Sequence, residues 1–396
     1  MPYSAAQEFL YIEEKGIDMG IYGSAGASAT SLSRLSLAMA VLTTTLWSVS
    51  VCAQQPFVAL GGNSSLSYIN NLGQAVGVRA ESNGTKSIIT FNGATQVIDS
   101  GDSVIDINDQ GGIIYTTHFG FLYREASGTS VEAGYAGVSY IPVAVNNNGL
   151  FAGNYYGGGH GIWDAYAYTN PLSGCSTLQG LKASLTQLPN WRRWEPEIAY
   201  VEGYGTYSIT CSYAYALNDS GTVAGYCTWW PQETDPHETY RRVASYWTGT
   251  TVHKMGTLGY NSSEATAINN IGDIAGALFN SNGSIAHAFL YSNDTMQVLT
   301  DFYVKPIAIN DLGVILSANS FYCDGIVTPI QSLLPDGWTL GAASDINNLD
   351  QIVGYATGPD GLQHGFILQV PEPTTMCLMG LGLMALLRHR RARTRG

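Results

Sequence analysis

The stretch AINNIGDIAG, residues 267–276, decides how this chain reads, because close copies of it recur along the sequence. They are YINNLGQAVG, DINDQGGIIY, AVNNNGLFAG, ALNDSGTVAG, AINDLGVILS and DINNLDQIVG. In chain order the seven anchor asparagines are Asn70, Asn108, Asn146, Asn218, Asn269, Asn310 and Asn347, spaced by 38, 38, 72, 51, 41 and 37 residues. A fixed period of about 40 residues marks a repeat architecture, in which each unit needs its neighbours to bury its apolar face.

Each copy reads as strand, turn, strand. The Asn/Asp-x-Gly group supplies positive φ and side chains that close a turn. More strands follow in each unit. AHAFLY (286–291) has relatives in HFGFLY (118–123), DAYAYT (164–169), RVASYW (242–247) and HGFILQ (364–369), followed by strands such as TMQVL (295–299) and TQVID (95–99). About four short strands per unit is the content of a propeller blade. The composition agrees, with 46 Gly, 25 Tyr and only 12% charged residues, since such a chain favours strands and turns over helices. The expected fold is all-β, a seven-bladed β-propeller.

The ends of the repeat region are out of phase in a telling way. Aligning LGGNSS (60–65) with LGYNSS (258–263) makes Phe57–Leu60 the last strand of a unit, whereas the repeats stop at HGFIL (364–368), a third strand. The first strand should therefore complete the last blade, which leaves no open edge. The two long spacings hold an insertion at about 171–211, bounded by Cys175 and Cys211, and the segment TWWPQETDPHETYRR (228–242). Insertions lengthen loops, and loops carry function.

Both chain termini read as addresses. LSLAMAVLTTTLWSVSV (35–51) is uncharged, follows Arg34, and leads to VCA (51–53), so residues 1–53 read as a leader and signal peptide cut after Ala53. Glu8, Glu13, Glu14 and Asp18 are foreign to a signal's start, which makes Met19 and Met39 alternative starts. At the other end, residues 371–396 contain Pro371, Glu372 and Pro373, then an uncharged run from Thr374 to Leu387, then Arg388, Arg390, Arg391, Arg393 and Arg395. Those 14 uncharged residues fall short of the roughly 20 of a comfortable membrane span. The arginines should stay cytoplasmic, with everything before them outside.

This tail resembles the PEP-CTERM sorting signal of Gram-negative bacteria. The resemblance implies a transient transmembrane sorting helix, processing by an exosortase-type enzyme, and a host that makes exopolysaccharide or biofilm. The repeats, over roughly residues 57–369, resemble the HAF repeat of bacterial extracellular proteins. His287-Ala288-Phe289 matches it outright and His364-Gly365-Phe366 less closely. That resemblance implies an exported repeat protein and no particular chemistry.

The residues between the two ends, 54–370, are expected to form the propeller domain. Residues 54–371 hold 10 Lys+Arg against 25 Asp+Glu, and an acidic surface repels phosphate backbones, so nucleic acid is not an expected partner. Clustered Asn and Asp oxygens could hold calcium, but each turn offers only one to three, so turn chemistry is the preferred reading and no cofactor or metal is expected. No nucleophile elbow or zinc-type His/Cys spacing occurs. Cys175 and Cys211 are the preferred disulfide, at the base of the insertion. Within the insertion Trp191, Trp194 and Tyr204 offer aromatic faces suited to sugar, beside Glu195, Glu197 and Glu202. Two functions follow. The favoured one is an exported, non-enzymatic surface or matrix protein associated with exopolysaccharide or biofilm. The alternative is a secreted propeller enzyme acting on polysaccharide, which would need a convergent pair of acids in the central channel or the insertion.

Overall fold

The structure, a computed structural model, describes residues 57–370 except 119, 136–139, 158–161, 170–184, 188–197, 202–204, 231–240 and 250. Its strands form seven antiparallel sheets, numbered I to VII here. Sheet I opens with Ser64–Ile69, II with Ser103–Ile107, III with Tyr140–Val145, V with Ser262–Ile268, VI with Ala308–Ile309 and VII with Thr339–Ile346. Each of these has four strands. Sheet IV departs from the expected content by carrying a fifth, Ile198–Val201, paired outside its long strand Gly205–Leu217. Part of the insertion is thus woven into the sheets. Leu185–Gln187 is the fourth strand of sheet III, and Cys211 lies within Gly205–Leu217, opposite Thr228. One short 3-10 turn, Ile330–Leu333, is the only helix among the described residues.

Strand order follows the chain in six sheets. In sheet VII the fourth place is taken by the first described strand, Phe57–Gly62, which pairs with Gln363–Gln369 in the register Phe57↔Leu368, Val58↔Ile367 and Ala59↔Phe366. Phe57 packs its ring against Trp338 and Phe366, with centroids 5.0 and 5.9 Å away.

The core is divided among interfaces. Seven apolar clusters each join one sheet to the next, for example Ala152, Ala165, Val223 and Trp247 between III and IV, and Ile114, Tyr123, Val145 and Phe151 between II and III. One of the seven, with Leu60, Leu66, Ile69, Val353 and Ile367, joins VII to I. Sheets packed against one another in sequence, each with the strand that leads into its anchor lining a shared cavity, make a β-propeller.

The ten-letter repeat has a local physical reason at each conserved letter. The third turn residue after the anchor needs a left-handed backbone, supplied by Gly73, Gly111, Gly149, Gly221, Gly272 and Gly313 and, in sheet VII, by Asp350 at φ 55°. The last glycine answers a different demand. In most sheets the first strand bulges shortly before its anchor, which pushes a carbonyl toward the second strand. A Cβ on Gly276 would lie 2.1 Å from Glu264 O, and on Gly77, Gly225 and Gly354 it would lie 1.9, 1.8 and 2.2 Å from the matching oxygen. Glycine admits that approach without displacing the carbonyl, whereas sheet II, whose first strand also bulges, has Tyr115 at this place and sheet VI has Ser317.

Candidate functional site: two rings and the acids behind them

All seven anchor asparagines are buried, 2–5% exposed. Each does the same two jobs. Its Oδ1 accepts the N–H four residues on, at 2.7–3.0 Å, and so closes its own turn. Its Nδ2 donates to the main-chain carbonyl of the next anchor at 3.0–3.2 Å, in the order Asn70, Asn108, Asn146, Asn218, Asn269, Asn310, Asn347 and back to Asn70. An amide has both a donor and an acceptor end, and a carboxylate could not serve here.

The residue after each anchor forms a second ring: Asn71, Asp109, Asn147, Asp219, Asn270, Asp311, Asn348. The Oδ1 of each accepts the N–H of its predecessor at 2.7–2.9 Å, and the last bond runs from Asn348 N–H to Asn71. The remaining side-chain atoms meet sideways. Asn147 Nδ2 donates to Asp109 at 2.8 Å and to Asp219 at 2.9 Å, and Asn348 Nδ2 donates to Asp311 at 2.6 Å. The alternation keeps carboxylates apart and gives each an amide neighbour.

These rings line a cavity of about 160 Å³, walled further in by Ile69, Ile107, Val145, Ile268, Ile309 and Ile346 and by two acids, Asp106 and Asp345. The two occupy the same place in their strands, two residues before the anchor, where four other sheets have alanine (Ala144, Ala216, Ala267 and Ala308) and sheet I has Tyr68. Asp106 Oδ2 accepts the Val145 N–H of sheet III at 2.7 Å, and Asp345 Oδ2 accepts the Ile69 N–H of sheet I at 3.0 Å. Their Oδ1 atoms accept the N–H of the following isoleucine at 2.8 Å. Each acid thereby ties its sheet to the next. Each carboxyl lines the cavity and is half-buried in the surrounding protein. Burial raises Asp106 to about 8, with Asp345 adding to the rise, and raises Asp345 to about 7; the accepted N–H bonds oppose both shifts. Tyr68 lies in the sheet between them, and burial and then the two carboxyls raise its phenol.

Away from the rings, Glu264 of sheet V is buried and joins sheet IV to the segment that connects sheets V and VI. It pairs with Arg242, with Lys305 Nζ at 2.9 Å and with Tyr215 Oη at 3.1 Å. Lys305 also lies over the Tyr215 ring, 4.5 Å from its centroid. Sequence reading passed over this cluster, because its members come from distant segments and share no motif.

Of the residues singled out from sequence, Pro371, Glu372, Pro373, Arg388, Arg390, Arg391, Cys175, Trp191, Trp194, Tyr204, Glu195, Glu197 and Glu202 lie outside the described residues, as do the leader and the sorting helix. Among the described residues no group of three His, Cys, Asp or Glu gathers to hold a metal, and no helix is long and apolar enough to cross a membrane. Of the Asn and Asp oxygens considered for calcium, the Oδ1 atoms of both rings accept main-chain N–H groups.

The chain is thus an all-β propeller followed by a sorting tail. Residues 369–391 match the PEP-CTERM protein-sorting motif, which includes Pro371, Glu372, Pro373, Arg388, Arg390 and Arg391. That motif implies export, processing by an exosortase-type enzyme, and a membrane-anchored C-terminal region before processing. No curated protein matches the chain in sequence. Similar solved structures include the β-propeller domain of the Trilobed protease from Pyrococcus furiosus, of open velcro topology (TM-score 0.45, 10% identity, covering 78% of this chain and 96% of that one). Others are the WD40 β-propeller domain of Doa1 (0.41, 10%, 80% and 97%) and a gluconolactonase from Xanthomonas campestris (0.36, 10%, 80% and 89%). None of these likenesses bears on activity or partner.

Proposed function

We propose that residues 54–370 form a closed, seven-bladed propeller of HAF-type repeats that acts as a non-enzymatic surface or matrix protein, associated with exopolysaccharide or biofilm. One observation carries this reading. The polar groups at the axis are engaged in two hydrogen-bonded rings that run from sheet to sheet and return to the first, so this end of the channel serves cohesion. The insertion, with Trp191, Trp194 and Tyr204 and a Cys175–Cys211 bridge, is then the sugar-facing part. Export through cleavage after Ala53 and processing near Pro371-Glu372-Pro373 deliver the domain to the envelope or beyond, with the arginines left inside. A glycan array probed with residues 54–370 tests the reading. Selective binding that is lost on replacing Trp191 and Trp194 supports it, and an array with no bound glycan counts against it.

A second reading, an enzyme acting on polysaccharide, is favoured by the acids Asp106 and Asp345, whose raised values suit proton donation near neutral pH. Their oxygens are already held by main-chain N–H groups, which argues for a structural role. Polysaccharide degradation by the unmodified domain that disappears in Asp106→Asn and Asp345→Asn variants of unchanged stability would establish the enzyme.

A further inference from the structure

The seven turns that carry the two rings switch between apolar and polar at one exposed place, the second residue after each anchor. Sheets V, VI, VII and I place Ile271, Leu312, Leu349 and Leu72 there, and these are 67, 63, 51 and 72% exposed. The other three sheets place Gln110, Asn148 and Ser220 at the same position, all exposed. The turn itself therefore has no need of an apolar residue. Single exposed leucines are ordinary, but four at one structural position in four successive sheets form an arc on one face. At the join between the last and first sheets the Leu349 side chain lies beside Gly73, the residue that follows Leu72.

The chain leaves the fold at this arc. Strand Gln363–Gln369 ends against the turn of sheet VII. Val370 N–H donates to Asp350 O at 2.8 Å, and Gln369 Nε2 donates to Leu349 O at 2.8 Å. Only Pro371, Glu372 and Pro373 separate Val370 from the uncharged run that begins at Thr374. At about 3.5 Å per residue the apolar tail starts at most about 14 Å from Leu349's turn. A tail held in a bilayer would keep that turn, and with it the arc, at the lipid surface.

We propose that the Ile271–Leu312–Leu349–Leu72 arc rests on the outer surface of the inner membrane while the sorting tail is still attached, and that this contact presents Pro371-Glu372-Pro373 for cleavage. The proposal rests on the reading of residues 371–396 as a membrane-held sorting tail. The charge on the same face makes the contact conditional. Asp109, Asp219 and Asp311 ring the axis beside the arc, and anionic lipid repels them. Four side chains suffice only while the tether keeps the local concentration high. Cutting the tail removes the tether, and the acidic face then favours departure.

The test places a photo-crosslinking residue at Leu312 and, separately, at Ser220 in the full-length chain, expressed in its host without exosortase activity. Fractionation comes first. Full-length chain that is absent from the membrane refutes the sorting reading itself, whereas membrane-bound chain puts the docking to the test. Phospholipid adducts at position 312 at least five-fold more frequent than at 220 are expected. Adducts at 312 to another protein or to a second copy, or equal lipid adducts at both positions, would overturn the proposal. With exosortase present, the Leu72→Ser, Ile271→Ser, Leu312→Ser, Leu349→Ser variant should be processed several-fold more slowly at an unchanged melting temperature. Processing at the unaltered rate would also overturn it.

Discussion

Replacing Asn347 separates the contribution of the seam between the last and first sheets from that of any single turn. Asn347 Oδ1 accepts from Leu349 N–H and Gln351 N–H, both at 3.0 Å, and its Nδ2 reaches Asn70 O at 3.0 Å and Gln351 Oε1 at 3.0 Å. Asn347→Ala strands two main-chain donors and one carbonyl. Each uncompensated buried group costs about 1–3 kcal/mol. Water from the adjoining cavity recovers part of this, so the expected loss is about 3 kcal/mol. At roughly 2 °C per kcal/mol for a domain of this size, the melting temperature falls by about 6 °C. Asn347→Asp is the sharper probe. It keeps both acceptor bonds and loses the Nδ2 donor that crosses to Asn70 O of sheet I and also reaches Gln351 Oε1, with a negative oxygen now facing a carbonyl. The Gln351 amide can turn its own Nε2 toward that oxygen, so the crossing bond is the main loss. Its cost should be about 2 kcal/mol at neutral pH and should shrink in acid, where a protonated carboxyl can donate again. Asn146→Asp, which breaks the equivalent Asn146–Asn218 bond at 3.0 Å inside the array, is the control. Urea and thermal unfolding of residues 54–370 measure both variants. Equal losses mean that sheets VII and I are joined as firmly as III and IV. An Asn347→Asp variant within error of the parent, beside a destabilised Asn146→Asp, would refute the closure.

Three further outcomes are expected. Beginning the chain at residue 62 removes Leu60 from its buried site and Phe57 from Trp338 and Phe366; it should cost about 3–5 kcal/mol, and coincident melts for 54–370 and 62–370 would contradict the completing strand. Asp106 at about 8 and Asp345 at about 7 hold protons that an unfolded carboxyl, ordinarily about 4, has released; their contribution to stability is therefore full below about pH 4 and is lost as pH rises through 7 and 8, so Asp106→Asn with Asp345→Asn should flatten the alkaline loss seen in unfolding titrations. Glu264→Gln leaves Arg242 and Lys305 without their carboxylate, but both are exposed enough to regain water, 44 and 36%; equilibrium unfolding should show a loss of about 1–2 kcal/mol, short of the 3–5 typical of a wholly buried pair.

Much of the fold is legible in the letters because each repeat letter answers a local demand. The glycine after Asn269 and Asn270 must be left-handed, and the last glycine must let a carbonyl approach, so both survive in most copies and expose the period. The strand Phe57–Gly62 was legible for a different reason, a phase mismatch between the two ends. What stayed hidden depends on neighbours in space. Nothing in the segments around Tyr215, Arg242, Glu264 and Lys305 signals that one carboxylate collects the other three. Asp106 and Asp345 were visible as the first letter of DIN in two copies, but a strand that alternates faces gives no sign that this place looks into a channel. The apolar letters at 72, 271, 312 and 349 read as ordinary turn variation until the sheets bring them into one arc beside the exit of the chain.

The letter after each anchor carries a further constraint that the ring makes plain. Asn and Asp alternate through Asn71, Asp109, Asn147, Asp219, Asn270, Asp311 and Asn348, and an odd ring cannot alternate all the way round. One like pair is unavoidable, and here it is the neutral pair Asn348–Asn71, at the join of the last and first sheets. Two adjacent carboxylates would repel, while two adjacent amides lose at most one lateral hydrogen bond. Asn71→Asp should therefore be costly on two counts. It removes the donor that now reaches Asp109 Oδ2 at 3.2 Å, and it places two carboxylates side by side, for an expected loss of about 1–2 kcal/mol at low salt that narrows as salt is raised. Adding Asp109→Asn restores alternation and merely moves the neutral pair to positions 109 and 147. The double variant should recover most of the loss, although Asp109→Asn alone removes a carboxylate that accepts from both neighbours. A double-mutant cycle on thermal stability reads the coupling directly. Strictly additive losses would mean that the alternation has no energetic meaning and that the turns, each closed by its own anchor, set the second letter independently.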